Sequence, residues 1–105
     1  MDYDDWPKKL DAHFDRASQT EISWQSIKSK IKIGDMISGT VICRAHFGAW
    51  IDINVGFPAL LEIIYIKELI PSDYQSGNWC EEGSTIEAKI LGFVDDGKQI
   101  YLTQE

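Results

Sequence analysis

Two aromatic residues, Phe47 and Trp50, give the sequence its clearest chemical signal. They stand three positions apart in HFGAWIDINVGF, residues 46–57, with Gly48 between them. Aromatic rings exposed on a β-surface form a platform for nucleic-acid bases, and each stacked base contributes about 1–3 kcal/mol. A regular strand places residues three apart on opposite faces. We therefore predict a bulge at Gly48 that turns both rings to one outer face.

The charge of the chain limits how such a platform could bind. The chain has 10 basic and 17 acidic residues, a net charge of −7, and most of the excess lies in residues 31–105. Nucleic-acid-binding proteins usually carry a basic footprint, because contacts with phosphates supply most of the non-specific affinity. Binding would therefore be weak and would depend on stacking. The alternative is that Phe47, Trp50 or both pack under an N-terminal helix or a loop.

The other reactive side chains do not form a recognisable catalytic or metal-binding group. Cys43 and Cys80 have no histidine at zinc-ligand spacing, and we expect two reduced thiols. Glu62 and Asp95 could in principle act as a carboxylate pair, but a polar rim position and a turn aspartate fit the pattern better. We expect no enzyme activity, metal site or cofactor.

No segment predicts a membrane span or a secretion signal. The longest apolar run, residues 57–66, is interrupted by Pro58 and Glu62 and is too short to cross a bilayer. The N-terminal stretch MDYDDWPKKLDAHF is acidic and has no apolar core. We expect a cytoplasmic protein with one domain, which a length of 105 residues allows.

The first third of the chain predicts helices. A short helix can start at Pro7, because proline is tolerated at the first helical position, and Leu10 and Phe14 would share one face. A second helix is predicted over residues 21–31, with Thr20 as its N-cap. We expect this second helix to pack against the domain that follows.

From residue 34 onwards the pattern changes to short strands. Five β-rich segments are predicted, at residues 36–45, 49–54, 57–64, 85–94 and 99–104. A helical turn at 65–69 and a long polar loop at 71–84 separate the third segment from the fourth. This order suits a small closed barrel of the OB type. The predicted class is all-β, a five-stranded OB-fold barrel over residues 33–105 behind an N-terminal helical extension over residues 1–32.

The motifs on these segments resemble those of the S1 RNA-binding domain family, first known from a ribosomal protein. GDMISGTV, HFGAWIDI, GFPALLEI, KEL and GSTIEAKILGFVDDGKQIYLT follow in the family's order across about residues 33–104. The preceding helix is similar to the linker helices between such domains in tandem arrays. The resemblance implies an S1-like barrel that binds single-stranded RNA, whose unstacked bases are open to aromatic side chains.

The resemblance also implies a set of RNA-contacting residues. In the family these are two aromatics on the second strand, a histidine at the end of the third strand, and an aspartate and an arginine on the closing hairpin. The aromatics fall on Phe47 and Trp50, and the aspartate falls on Asp95.

The two remaining family positions hold residues that suit phosphate less well. Glu62 stands at the histidine position and repels phosphate when ionised, and Gln99 stands at the arginine position, where it forms no charged fork. Lys98 is a partial substitute beside Gln99. Arg44 and His46, which precede the aromatic pair, complete the predicted RNA-binding set.

Residues 71–84 support a second hypothesis. The loop PSDYQSGNWCEEGS is acidic and aromatic, and loops of this length in compact domains are often functional. Trp79 would be an exposed anchor for a protein partner, or it folds back onto its own barrel. The loop suits a basic protein better than RNA. The alternative function is therefore a protein-interaction module that kept the S1 fold and lost most nucleic-acid binding.

Overall fold

The computed structural model describes residues 3–105, and their strands close into a single barrel. The strands are β1 (Met36–Ala45), β2 (Gly48–Asp52), β3 (Pro58–Glu62), β4 (Thr85–Val94) and β5 (Gln99–Thr103). They pair in the order β1-β2-β3-β5-β4, with β4 closing onto β1. The β3–β5 pair is parallel and the other neighbours are antiparallel. The predicted five-stranded OB-type barrel with an N-terminal helical extension is confirmed.

Helices occupy the N-terminal extension and one inter-strand connection. They are α1 (Trp6–His13), α2 (Glu21–Lys30) and α3 (Pro71–Ser76), with short 3-10 turns at Arg16–Ser18 and Ile63–Tyr65. Thr20 caps α2 as predicted, because its Oγ1 accepts a hydrogen bond from the Ser23 amide at 3.1 Å. The first two residues of the predicted extension lie outside the described residues, and the domain division at residue 32 stays a prediction.

Strand alternation sorts the apolar side chains into two clusters. The inward residues fill the barrel and form the main cluster, which also takes in Trp24 of α2. The outward residue Trp50 belongs to a second cluster on the outside of the barrel, together with Leu10 and Phe14. Leu10 and Phe14 therefore share one face, as their spacing predicts.

The bulge predicted at Gly48 is wrong. The β2–β3 register is continuous from Gly48 to Asp52, and the irregularity between β1 and β2 lies on β1, between Val41 and Cys43. Gly48 serves a different purpose, because a Cβ at this position would collide with the backbone of β3. Phe47 lies in the turn before β2, so strand alternation does not determine its direction.

The connection from β3 to β4 is more ordered than the sequence predicts. Residues 71–84 contain α3 instead of forming a continuous loop, and Gly77 ends this helix in the left-handed conformation that glycine adopts readily. The helical turn predicted at 65–69 forms two residues earlier, as the 3-10 turn. Among the helices of residues 3–105, none is long and apolar enough to cross a lipid bilayer.

Candidate nucleic-acid interface

An aromatic stripe runs across the outside of three neighbouring strands. The ring centroids of Phe47 and Trp50 lie 6.3 Å apart with nearly perpendicular planes. Trp50 of β2 is paired with Leu60 of β3, and Leu60 is paired with Tyr101 of β5. This register places an apolar, aromatic surface where the family resemblance implies a stacking platform.

Tyr101 is a member of this surface that the sequence reasoning missed. Its half-buried ring packs against the outer cluster. Its partner on β4 is Gly92, and a Cβ there would meet nothing within 4 Å, so that side of the ring is open. The signal was available, because Tyr101 stands between Ile100 and Leu102, whose burial leaves the alternate position pointing outward.

The other residues of the predicted set lie in three separate places. Glu62 is paired with Gly48 and therefore lies beside the turn that carries Phe47. Gln99 precedes Ile100, which pairs with Ala59 at the opposite end of β3. Three to four strand positions, about 10–13 Å, thus separate Gln99 from Glu62 along the sheet.

Asp95 and Lys98 belong to the hairpin at the Gln99 end, and Arg44 is directed to the 71–84 segment.

Asp95 is engaged by α2. Its Oδ1 accepts hydrogen bonds from Trp24 Nε1 at 2.8 Å and from Lys28 Nζ at 2.6 Å. The hydrogen bond from Lys28, followed by that from Trp24, lowers the pKa of Asp95 from its ordinary value. Nearby, Lys98 Nζ lies 3.4 Å from Glu21 of the same helix. The hairpin therefore contacts α2 through these polar side chains, in addition to the burial of Trp24 in the main cluster.

Arg44 holds the segment that follows α3. Its guanidinium donates to the carbonyl oxygens of Gly77 and Trp79 at 2.7 and 2.8 Å. It also lies over the ring of Trp79 at 5.3 Å and over that of Tyr3 at 5.6 Å. These contacts give Arg44 a structural role between β1, the N-terminal segment and residues 71–84.

Trp79 folds back onto the barrel and is not exposed. Its ring stacks on Tyr74 at 5.5 Å, and its Nε1 donates to the hydroxyl of Tyr3 at 3.2 Å. Tyr74 in turn donates to the carbonyl of His46 at 2.9 Å. The His46 ring itself is exposed, edge-on to Tyr3 at 5.0 Å and 3.7 Å from an oxygen of Asp4. Trp79 is therefore too buried to act as an exposed anchor for a protein partner.

The N-terminal helix α1 covers much of the aromatic stripe. The indole of Trp6 stacks on Trp50, with centroids 5.4 Å apart and planes inclined by 27°, and it meets Phe47 edge-on at 5.6 Å. Leu10 and Phe14 complete the contact over Leu60 and Cys43. Trp50 is consequently 2% exposed, whereas Phe47 remains 40% exposed. Trp50 therefore packs under the N-terminal helix, which is the alternative to an exposed stacking position.

Comparison with known proteins places the barrel in a family. No family model matches the chain. Over 97 residues it is 32% identical to a polyribonucleotide nucleotidyltransferase of Nitrobacter hamburgensis, a match that covers 90% of this chain and 13% of that protein. Over 81 residues it is 33% identical to small ribosomal subunit protein bS1 of Staphylococcus epidermidis, covering 76% of this chain and 20% of that protein.

A solved structure with the same fold is RNase R of Mycoplasma genitalium, determined in complex with ribose-methylated single-stranded RNA. The TM-score is 0.59 at 20% identity, over 78% of this chain and 14% of that chain. The barrel is an S1-type domain. The chain spans a fifth or less of the length of the curated relatives named above.

The covered face of this S1-type domain contains one unsatisfied donor. Among the side-chain nitrogens and oxygens buried within residues 3–105, Nε1 of Trp50 is the one without a hydrogen-bond partner. Leaving a buried donor unpaired costs about 1–3 kcal/mol. This donor belongs to the tryptophan on which Trp6 of α1 stacks.

Two polar contacts flank the apolar contact between α1 and the S1-type barrel. Lys9 Nζ lies 2.6 Å from Glu82 Oε1, and His13 Nε2 lies 2.7 Å from Asp52 Oδ2. The hydrogen bond with Glu82 raises the pKa of Lys9. An exposed pair such as Lys9–Glu82 contributes little, because both charges are well solvated. Apolar burial is the main force that holds α1.

Cys43 lies beneath α1, where its Sγ donates a weak hydrogen bond to the carbonyl oxygen of Trp6 at 3.8 Å. Cys43 and Cys80 are both free, and burial raises the pKa of each thiol to about 11. Within residues 3–105, no group of three or more His, Cys, Asp or Glu side chains is arranged to hold a metal ion.

Proposed function

We propose that the S1-type domain binds single-stranded RNA weakly, by stacking bases on its aromatic face with few phosphate contacts. The observation that carries the proposal is the row of Phe47 in the turn before β2, Trp50 on β2 and Tyr101 on β5, with Leu60 of β3 between the last two. Every base has a π-face, so such a surface tolerates many sequences.

The relatives support RNA as the ligand class. One similar protein is a ribosomal protein, another is a polyribonucleotide nucleotidyltransferase, and the RNase R structure contains single-stranded RNA. All three names concern RNA, whereas the proteins themselves differ in activity. The part they share with this chain is the S1-type domain, and we assign RNA binding to it on that ground.

The charges support a weak interaction. Lys28 is paired with Asp95, Lys98 lies near Glu21, and Arg44 donates to backbone carbonyls, so three cations of the domain already have partners. With no more than two phosphate contacts, the logarithm of the binding constant would fall against the logarithm of salt concentration with a slope of about −1.4 or shallower.

The test is a fluorescence anisotropy titration of a labelled short single-stranded RNA at low salt. Phe47→Ala removes the exposed ring and its edge contact with Trp6 but takes no member out of the outer cluster, whereas truncating Trp50 would empty space beneath α1. We expect Phe47→Ala to weaken binding about tenfold, the lower half of the range for one stacked base. Ile22→Ala is the matched control, because Ile22 is an exposed apolar residue of α2 and is not a member of the outer cluster.

Two results of this titration would contradict the proposal. The first is equal affinity for the wild type and Phe47→Ala. The second is an absence of binding at low salt that persists when α1 is displaced.

The protein-interaction module is the second candidate function. It is favoured by the exposed carboxylates of Glu81 and Glu82 within the 71–84 segment, together with the net charge of −7. These features suit a basic protein partner. We expect Glu81→Lys to reduce capture of such a partner at low salt without changing RNA binding, and unchanged capture would remove this segment from consideration.

A further inference from the structure

We infer that α1 is an intramolecular competitor for the RNA face, with the indole of Trp6 in the place of a stacked base. RNA then binds to the S1 face after α1 has left it. This inference rests on the proposed function and adds its regulation.

The ring geometry is the first support for the inference. Trp6 is held between the two platform aromatics, nearly parallel to Trp50 at 5.4 Å and edge-on to Phe47 at 5.6 Å. A base entering a two-ring platform would use the same contacts, and an indole matches a purine in having two fused rings. Trp6 and a base therefore cannot occupy this position together.

The location of α1 outside the barrel core is the second support. Its buried residue Leu10, like Phe14 just behind it, belongs to the outer cluster, and the main cluster forms without either of them. Tyr3 before α1 and Trp24 after it are both members of the main cluster. The segment between them can therefore leave the face while its two ends stay attached.

The helix itself is short, with eight residues. Isolated helices of this length are marginal in water, so α1 depends on the apolar contact with the barrel. Without that contact, α1 would unfold.

The unsatisfied donor of Trp50 is a third and independent support. With α1 in place, Nε1 of Trp50 is buried without a partner. Departure of α1 would offer this donor to water or to an acceptor on an RNA base. α1 thus gives Nε1 of Trp50 no acceptor, whereas an RNA base on the same face can provide one.

The experiment uses the full chain and two substitutions on α1 that add the same side chain. Leu10→Glu places a carboxylate in the apolar contact, whereas Ala12→Glu places it on the exposed side of the same helix. Opening is read from alkylation of Cys43 by N-ethylmaleimide, in a Cys80→Ser background, because Cys43 is covered by α1. Circular dichroism verifies that the barrel is folded.

We expect Leu10→Glu to react at Cys43 at least about tenfold faster than the wild type and Ala12→Glu. It should also bind a labelled single-stranded RNA at least about tenfold more tightly, because apparent affinity scales with the fraction of molecules that have an open face. In the wild type, saturating RNA should accelerate hydrogen exchange of the α1 amides.

Different outcomes separate the inference from the function on which it rests. If Leu10→Glu exposes Cys43 but binds RNA as the wild type does, α1 is not a competitor and RNA binding stands. If Leu10→Glu exposes Cys43 and no variant binds RNA, the proposed function fails and the inference with it. If Leu10→Glu does not fold, the wild-type exchange experiment decides, and RNA binding with unchanged or slower exchange in α1 overturns the inference.

Discussion

The helices α1 and α2 each bring one tryptophan to the same barrel, yet they are attached in different ways. Trp24 of α2 is fully buried against Phe57 at 5.0 Å, and its Nε1 donates to Asp95. Trp6 of α1 lies half-buried on the outside of the barrel, stacked on Trp50, whose own Nε1 has no partner. One helix completes the core, and the other covers a surface.

The local sequences of the two helices also differ, in the polar groups at their ends. Thr20 and Ser23 form a reciprocal capping box at the start of α2, and Lys28 and Lys30 lie in its last turn, where cations favour the helix dipole. The shorter α1 has a proline start without a side-chain cap from Asp5. The comparison teaches that two helices beside one barrel can differ in polar satisfaction: α2 has a capping box and a paired indole, whereas the contact of α1 contains the unpaired Nε1 of Trp50.

The largest loss of stability should follow from truncating the buried tryptophan of α2. Trp24→Ala should lower the free energy of unfolding by about 3–5 kcal/mol, because it leaves a cavity in the main cluster and removes a donor from Asp95. Trp6→Ala should lower it by about 1–2 kcal/mol, because the ring is half-buried. Urea denaturation followed by circular dichroism measures both, and equal losses would erase the distinction between the helices.

A smaller effect on stability is expected for the apolar contact of α1. Leu10→Ala should weaken docking by about 2 kcal/mol, the lower end of the range for a buried leucine, since the site lies at the surface and can adjust. That loss corresponds to alkylation of Cys43 about thirtyfold faster. Lys8→Ala, on the exposed side of α1, is the control and should leave the rate unchanged. A Leu10→Ala rate equal to that of Lys8→Ala would mean that α1 does not open independently.

The next effect is a pH dependence specific to α2. The pKa of Asp95 lies below its ordinary value of 3.8, mainly because of the hydrogen bond from Lys28. A carboxylate with a depressed pKa stabilises the fold above its unfolded pKa, and this stabilisation is lost as the pH falls through the folded pKa. The free energy of unfolding should therefore decrease below about pH 4, and Asp95→Asn should flatten this decrease.

Urea titrations at pH 5, 4 and 3 measure this dependence. Asp96→Asn is the matched control, because it changes the same charge in the same turn away from the Lys28–Trp24 contacts. If Asp95→Asn keeps the full decrease, the α2 anchor is not electrostatic.

The smallest effect is expected for the ion pair that flanks α1. Lys9→Ala and Glu82→Ala should each change the Cys43 alkylation rate by about twofold or less, and the double variant should behave like either single one. The difference should vanish at 1 M salt, where surface charges are screened. A large, salt-sensitive change would mean that charge, and not the cluster around Leu10, holds α1.

Much of the fold could be predicted because its signals are local. Alternation along the strands and the capping residue Thr20 act over a few positions, and both predictions are confirmed. Glycine often marks a bulge, but the reason for Gly48 is the backbone of β3, which is a partner distant in sequence. The predicted RNA-binding set remains a hypothesis, and its residues divide between the two ends of the sheet and the 71–84 segment.

By itself, the sequence determined the barrel and the S1 likeness, because strand period and motif order can be read along the chain. It also determined that Leu10 and Phe14 form one apolar helix face. The tertiary structure alone decided that this face covers Trp50 and that Trp6 stacks there, 44 positions away in the chain. Apolar burial is non-directional, so helical periodicity identifies the apolar face of a helix but not the surface against which that face packs.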